Sequence, residues 1–293
     1  MTFGIHDFPY SINLSNIKFF QEVIIMPKKV LFIILLFFIL SIYIFAQVNI
    51  ESYDLNSSGN GIVIKKMSGG GKIVIPEMIE GYPVVEIGNG QSGLGILSIT
   101  SSNRSPVEIV FPRTIIKIND YAFFNNSYIT SVTFVSGSQL KEIGYNAFWG
   151  CRNLVAINLP VGLEIIGEEA FQNCTLRSII FPSGLRSIGF EAFDNNRLTE
   201  VTIPEGIEII YNETFSNNRL LKSVVLPKSL KEIRSDAFKN CVELTDVIIP
   251  ATITTLRFPG TSFTPGNNAF VDCGKLKIAV KQRLRDLSYP GVF

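Results

Sequence analysis

The chain has 293 residues, 46 % hydrophobic and 17 % charged, enough apolar material for a buried core, which excludes a disordered chain. Its formal net charge of +1, without a long block of either sign, gives no electrostatic footprint for nucleic acid. The single histidine, His6, lies in a stretch expected to be absent from the mature protein. Ser/His/Asp and Cys/His catalysis and a mixed His/Cys metal site are therefore excluded, and nothing calls for a cofactor.

From Met26 the sequence reads MPKKVLFIILLFFILSIYIFAQ: two lysines, an apolar run from Val30 to Phe45, then Ala46-Gln47. This is the order of a secretory signal peptide, so residues 1–46 are read as an N-terminal extension plus signal, with Met26 as the start and cleavage near Ala46. The alternative is an uncleaved anchor, since Val30 to Ala46 sits at the short limit for spanning a bilayer. Either way the expected location is secreted or cell surface, with the membrane met only through this segment if it stays uncleaved. Residues 47–71 are read as a linker or N-terminal cap.

Beyond residue 71 a repeat governs the sequence. Ala122-Phe123, Ala147-Phe148, Ala170-Phe171, Ala192-Phe193, Thr214-Phe215, Ala237-Phe238 and Ala269-Phe270 are separated by 25, 23, 22, 22, 23 and 32 residues. Pro160, Pro182, Pro204, Pro227 and Pro250 recur in step. A period in the twenties signifies a solenoid of short strands. In the unit VTIPEGIEIIYNETFSNNRL (201–220), Val201 and Ile203 alternate around Thr202 as in a half-buried strand. Pro204 ends that strand, because it has no N–H for a neighbour. Ile207, Ile209 and Ile210 predict a second extended segment, and a tight turn is expected to bring Phe215 and Leu220 inward. No stretch of ten residues carries a helical apolar stripe, so only single helical turns are expected. About 7–8 units of 22–25 residues occupy 72–276, with an insertion at 257–268, and 277–293 form a basic C-terminal cap that covers the open ladder edge.

The units LVAINLPVGLEIIGEEAFQNC (154–174) and LRSIIFPSGLRSIGFEAFDNN (176–196), with the opening IVIPEMIEGYPVVEIG (73–88), closely resemble the BspA-like leucine-rich repeat family. The resemblance implies a right-handed, β-rich leucine-rich-repeat solenoid with short parallel strands. It also implies a bacterial cell-surface protein that adheres to extracellular matrix or other cell-surface proteins. Departures from the pattern are FVSGSQ in place of the proline region, Thr214 where Ala is usual, and IY (210–211) and IR (233–234) where IG is usual.

The position three after the phenylalanine holds Asn126, Cys151, Cys174, Asn196, Asn218, Cys241 and Cys273. Asparagine and cysteine sharing one slot mark a structural ladder that serves backbone groups in an enclosed turn, not a repeated nucleophile. The thiols are read as buried and free, or as one or two disulfides joining Cys151 to Cys174 and Cys241 to Cys273. Equivalent residues in adjacent coils lie ~5 Å apart, within disulfide range, although parallel side chains disfavour the dihedral. A four-cysteine metal site is excluded by the separation of the pairs and the lack of a CxxC.

For binding, the outward strand position gives the column Val110, Thr133, Asn158, Ile180, Thr202, Val225 and Ile248. This is either strand propensity or an apolar face for a protein ligand. Arg152, Arg177, Arg197 and Arg219 fall near the starts of successive strands, as an edge to that face or as solvated loop residues. A carboxylate hydrolase using Glu168 and Glu169 is the weakest reading, because Glu191 and Asp236 near the same repeat position point to surface charge. The sequence thus predicts an exported, non-enzymatic binding protein. The alternative is an envelope protein that self-associates without an outside ligand.

Overall fold

β-Branched alternation supplies short strands and Pro-X-Gly or Asn-rich segments supply turns, so each repeat closes into one coil. The computed structural model describes residues 48–88, 106–253, 268–287 and 293, all within one compact unit, 46–293. The expected signal segment with its cut near Ala46, and the insertion apart from Asn268, lie outside the described residues.

An antiparallel hairpin of β1 (Asn49–Leu55) and β2 (Ile62–Ser68) opens the fold. β3 (Gly71–Val74), β4 (Met78–Ile79) and β5 (Tyr82–Ile87) follow. Successive coils then hold β6 (Val107–Phe111) with β7 (Lys117–Ile118), β8 (Ile129–Phe134) with β9 (Glu142–Ile143), and β10 (Ala156–Ile157) with β11 (Ile165–Ile166). The next coil has only β12 (Ser187–Ile188). After it come β13 (Glu200–Thr202), β14 (Ile209–Ile210), β15 (Ser223–Val225), β16 (Glu232–Ile233) and β17 (Asp246–Ile248). The helix α1 (Ile278–Asp286) follows, a nine-residue element where only single turns are expected from the sequence.

Strands of like position pair in parallel from coil to coil, as a solenoid requires. The first strands form β3–β6–β8–β10 and then β13–β15–β17; the second strands form β2–β5–β7–β9–β11–β12 and then β14–β16. Both ladders are therefore interrupted near the middle of the stack. Between β10 and β13, the turn from Cys174 to Leu176 is one residue shorter than that from Cys151 to Leu154. At this break the backbone bonds run from Thr175 N to Leu154 O and from Arg177 N to Val155 O, and no strand continues through Ile180.

Between β12 and β14 the residue after the second strand changes from glycine to tyrosine. Gly144, Gly167 and Gly189 stack so closely that a Cβ on Gly189 would lie 2.5 Å from the Glu168 backbone nitrogen. The next coil places Tyr211 at this position, and no second-strand pairing joins β12 to β14. Arg234, one coil further, lays its guanidinium 4.6 Å from the centre of the Tyr211 ring.

The core is a single apolar file closed at both ends. At its centre Phe123, Phe148, Phe171, Phe193, Phe215, Phe238 and Phe270 are fully buried and stack nearly parallel, with ring centres 4.9 to 5.6 Å apart. Phe238 stacks on Phe270 at 5.3 Å, so the 32-residue step is still one coil. Each repeat proline accepts a bond from the residue three later, Leu163, Leu185, Ile207, Leu230 and Ile253 in turn, which makes the turn after the strand. Leu221 is buried and Leu220 exposed, the reverse of the expected inward Leu220. The turn after Asn218 carries one more residue than the turn after Asn196, and that residue accounts for the 23- rather than 22-residue step. At the C-terminal end Val280, Leu284 and Leu287 of and beside α1 bury against the last coil.

Candidate functional site

In the six coils from Phe123 to Phe238, two residues adopt left-handed backbone conformations, bracketing the phenylalanine. Two positions after it stand Asn125, Gly150, Asn173, Asn195, Asn217, Asn240 and Asp272, all with φ between 53° and 70°. Gly and Asn are the residues that tolerate this region best. Two positions before it stand Tyr121, Asn146, Glu169, Glu191, Glu213 and Asp236, with φ of 52° to 59°. The tandem reversal turns the phenylalanine inward, between flanking columns that are mostly more exposed, although Asn146 is buried.

The Cys/Asn slot is a cross-coil strut. Cys151 Sγ donates to Phe123 O at 3.3 Å, Cys241 Sγ to Phe215 O at 3.3 Å and Cys273 Sγ to Phe238 O at 3.1 Å. Cys174 contacts the Phe148 carbonyl in the same manner. Asn196 Nδ2 bonds Phe171 O at 2.8 Å and its own coil's Phe193 O at 3.2 Å, while Asn196 Oδ1 accepts from Leu176 N. Asn126 occupies the same slot and its Oδ1 accepts from Tyr128 N. All four thiols are buried and free. Burial pushes Cys151 and Cys273 up to about 12 and holds Cys174 and Cys241 well above the ordinary thiol value. Such thiols stay protonated, the opposite of what a nucleophile or metal ligand needs. Among the described residues no group of His, Cys, Asp and Glu is arranged to hold a metal ion.

The outward strand column is exposed at Thr133, Asn158, Ile180, Thr202, Val225 and Ile248, whereas Val110 is half-buried. Thr202, Val225 and Ile248 stand in register across β13, β15 and β17. Ile180 is 82 % exposed and Ile248 66 %, large apolar side chains with little cover. Asn158 and Ile180 lie outside the strands, so the row is continuous only over the last three coils.

The four arginines do not form one edge. Arg152, Arg197 and Arg219 each follow a slot residue directly and line one groove of about 810 Å³ with Asn173, Asn195 and Asn217. Arg177 comes three residues after its slot and is not part of the groove lining. The groove escapes a sequence reading that looks only for strand-face residues. Its signal is the recurrence of Asn-X-Arg, or Gly-X-Arg, two residues after the phenylalanine.

The acidic column is more than solvated charge. Burial, then Glu213, Asp194 and Glu169, push Glu191 up to about 7, while a bond from Gln172 Nε2 opposes the shift. Glu213 and Asp194 are raised as well, chiefly by burial. Glu168, beside the column, is exposed. The second strands carry a different arrangement, a chain of opposite charges in which Lys141 bonds Glu164 at 2.7 Å and Lys231 bonds Glu208 at 2.8 Å.

Comparison with known proteins agrees with this architecture. The BspA type leucine rich repeat region matches residues 101–161 and 141–277 in six copies. A leucine-rich repeat protein from Bacteroides ovatus is 26 % identical, with a TM-score of 0.59 over 77 % of this chain and 68 % of its own. The leucine rich repeat protein of T. pallidum is 23 % identical, with a TM-score of 0.54 over 83 % of this chain and 95 % of its own, and shares the fold. No curated protein matches the chain.

Proposed function

The chain belongs to the BspA-type leucine-rich repeat family, and from that premise we propose that it is an exported, non-enzymatic protein that binds extracellular proteins at the cell surface. The observation that carries this reading is the row Thr202, Val225 and Ile248, in register and exposed, with Ile180 and Asn158 exposed at the same repeat position in earlier coils. Uncovered β-branched side chains on a rigid sheet offer apolar area that needs little ordering on association. A non-enzymatic role is supported by the buried, protonated thiols and by the chain's single histidine.

The test is a binding screen of the purified protein against immobilised extracellular matrix proteins, repeated with Ile180→Asp, Val225→Asp and Ile248→Asp combined. Saturable binding that the folded triple variant loses is the expected result. Concentration-dependent self-association without any matrix binding supports the envelope-protein alternative instead.

A further inference from the structure

Arg152, Arg197 and Arg219 bring three positive charges to one groove that holds no carboxylate. Several basic side chains elsewhere are neutralised, as in Lys117 with Glu142 at 2.8 Å, Lys231 with Glu208 at 2.8 Å and Lys275 with Glu243 at 2.6 Å. Among the described residues the three groove arginines have no such partner, and their side chains make no hydrogen bond. Because each follows its slot residue by one, the coil repeat sets them in file, with Thr175 in the intervening coil. Successive places are ~5 Å apart along the stack. Like charges held in file by a rigid backbone repel, and an anion between them relieves that repulsion. Guanidinium forks match sulfate and carboxylate oxygens in pairs.

The amides of the groove define the rest of the ligand. Asn195 Nδ2 donates to Asn173 Oδ1 at 2.6 Å, which leaves the Asn173 amide hydrogens and the Asn195 carbonyl oxygen facing the groove with no other partner among the described residues. Donor and acceptor side by side suit hydroxyl groups. No aromatic side chain lines the groove, so bases would find no stacking platform. The turn backbone is already bonded coil to coil, Asn173 N to Asp194 O at 3.0 Å and Asn195 N to Ser216 O at 3.0 Å, so a peptide would find no free ladder.

We propose that this groove binds an acidic polysaccharide, with sulfate or carboxylate groups on Arg152, Arg197 and Arg219 and hydroxyls on the Asn173 and Asn195 amides. A repeating polyanion matches a repeating file of cations, and modest contacts add along its length. The inference is independent of the strand-row reading, because different residues form the two surfaces.

The test titrates the full chain with a sulfated heparin oligosaccharide, an oligogalacturonate, neutral dextran, poly-glutamate and a single-stranded oligonucleotide. At least one acidic oligosaccharide should bind, more weakly as salt rises, and dextran should not. Arg152→Gln, Arg197→Gln and Arg219→Gln combined should weaken binding by about tenfold or more, and Arg197→Gln alone by about threefold. Lys275→Gln, Lys277→Gln and Lys281→Gln combined, with the same loss of charge, should leave binding within about twofold. The inference is overturned if neither acidic oligosaccharide binds, or if Arg197→Gln and the folded triple arginine variant bind like the parent. It is also overturned if poly-glutamate or the oligonucleotide binds as tightly as the glycan at matched charge. Matrix-protein binding that survives the arginine changes leaves the strand row standing and separates the two outcomes.

Discussion

Cys174 Sγ donates to the carbonyl oxygen of Phe148, one coil back, at 3.2 Å. The equivalent atom in the following coil, Asn196 Nδ2, reaches Phe171 O at 2.8 Å. A thiol and an amide thus perform the same task in adjacent coils, holding the phenylalanine turn of one coil to the turn of the next.

If the thiols are struts, they are shielded in the native state. A disulfide-exchange reagent at pH 8 should modify none of Cys151, Cys174, Cys241 and Cys273 before unfolding, and all four within minutes in denaturant without reductant. Burial sets both the access and the raised ionisation of the thiols, to about 12 for Cys151 and Cys273. Fewer than four reactive thiols after denaturation would instead reveal a bridge between adjacent coils.

The amide strut is the stronger of the two. Asn218, fully buried, donates to Phe193 O at 2.8 Å and Phe215 O at 3.0 Å and accepts from Leu198 N at 3.2 Å. Asn218→Ala leaves those backbone groups enclosed and unpaired, and should destabilise the fold by about 3 kcal/mol. Asn218→Cys keeps a donor toward Phe193 O and should cost roughly half as much. Urea midpoints for both variants measure the difference, and equal midpoints would remove the distinction between the slot residues.

Acidity should stabilise the acidic column. Glu191 ionises near 7 in the fold, because of burial and the neighbouring Glu213, Asp194 and Glu169, against ~4.3 in an unfolded chain. Between those values the folded state holds more protons, so this group's contribution is most favourable below ~4.3 and declines as pH rises through the window toward 7. Glu191→Gln should flatten that decline and stabilise the protein at pH 7.5 by roughly 1 kcal/mol, a figure reduced for the solvent that reaches the carboxyl. Thermal unfolding from pH 4.5 to 7.5 for parent and variant checks the sign. A steeper decline in the variant would contradict it.

The sequence by itself determined the coil. Phenylalanine and proline spacing, strand alternation and the Cys/Asn slot all lie within one repeat, where short-range sterics and burial dictate the answer. The seven stacked rings and the buried slot are accordingly legible in residue spacing alone. What only the tertiary structure decided is how one coil meets the next. The helix over Ile278–Asp286 forms because Val280 and Leu284 have a coil end to cover, a surface no local pattern describes. Ladder breaks beside the turn after Cys174 and at Tyr211 are properties of how neighbouring coils pair, which no single repeat shows. The exchange of Leu220 for Leu221 has the same origin. Arg152, Arg197 and Arg219 share a groove because stacking aligns positions 22 or 45 residues apart, and Glu191 is perturbed by its burial and by the carboxylates that stacking sets beside it. Periodicity specifies the unit, while the packing of unequal units decides where charge and apolar surface collect.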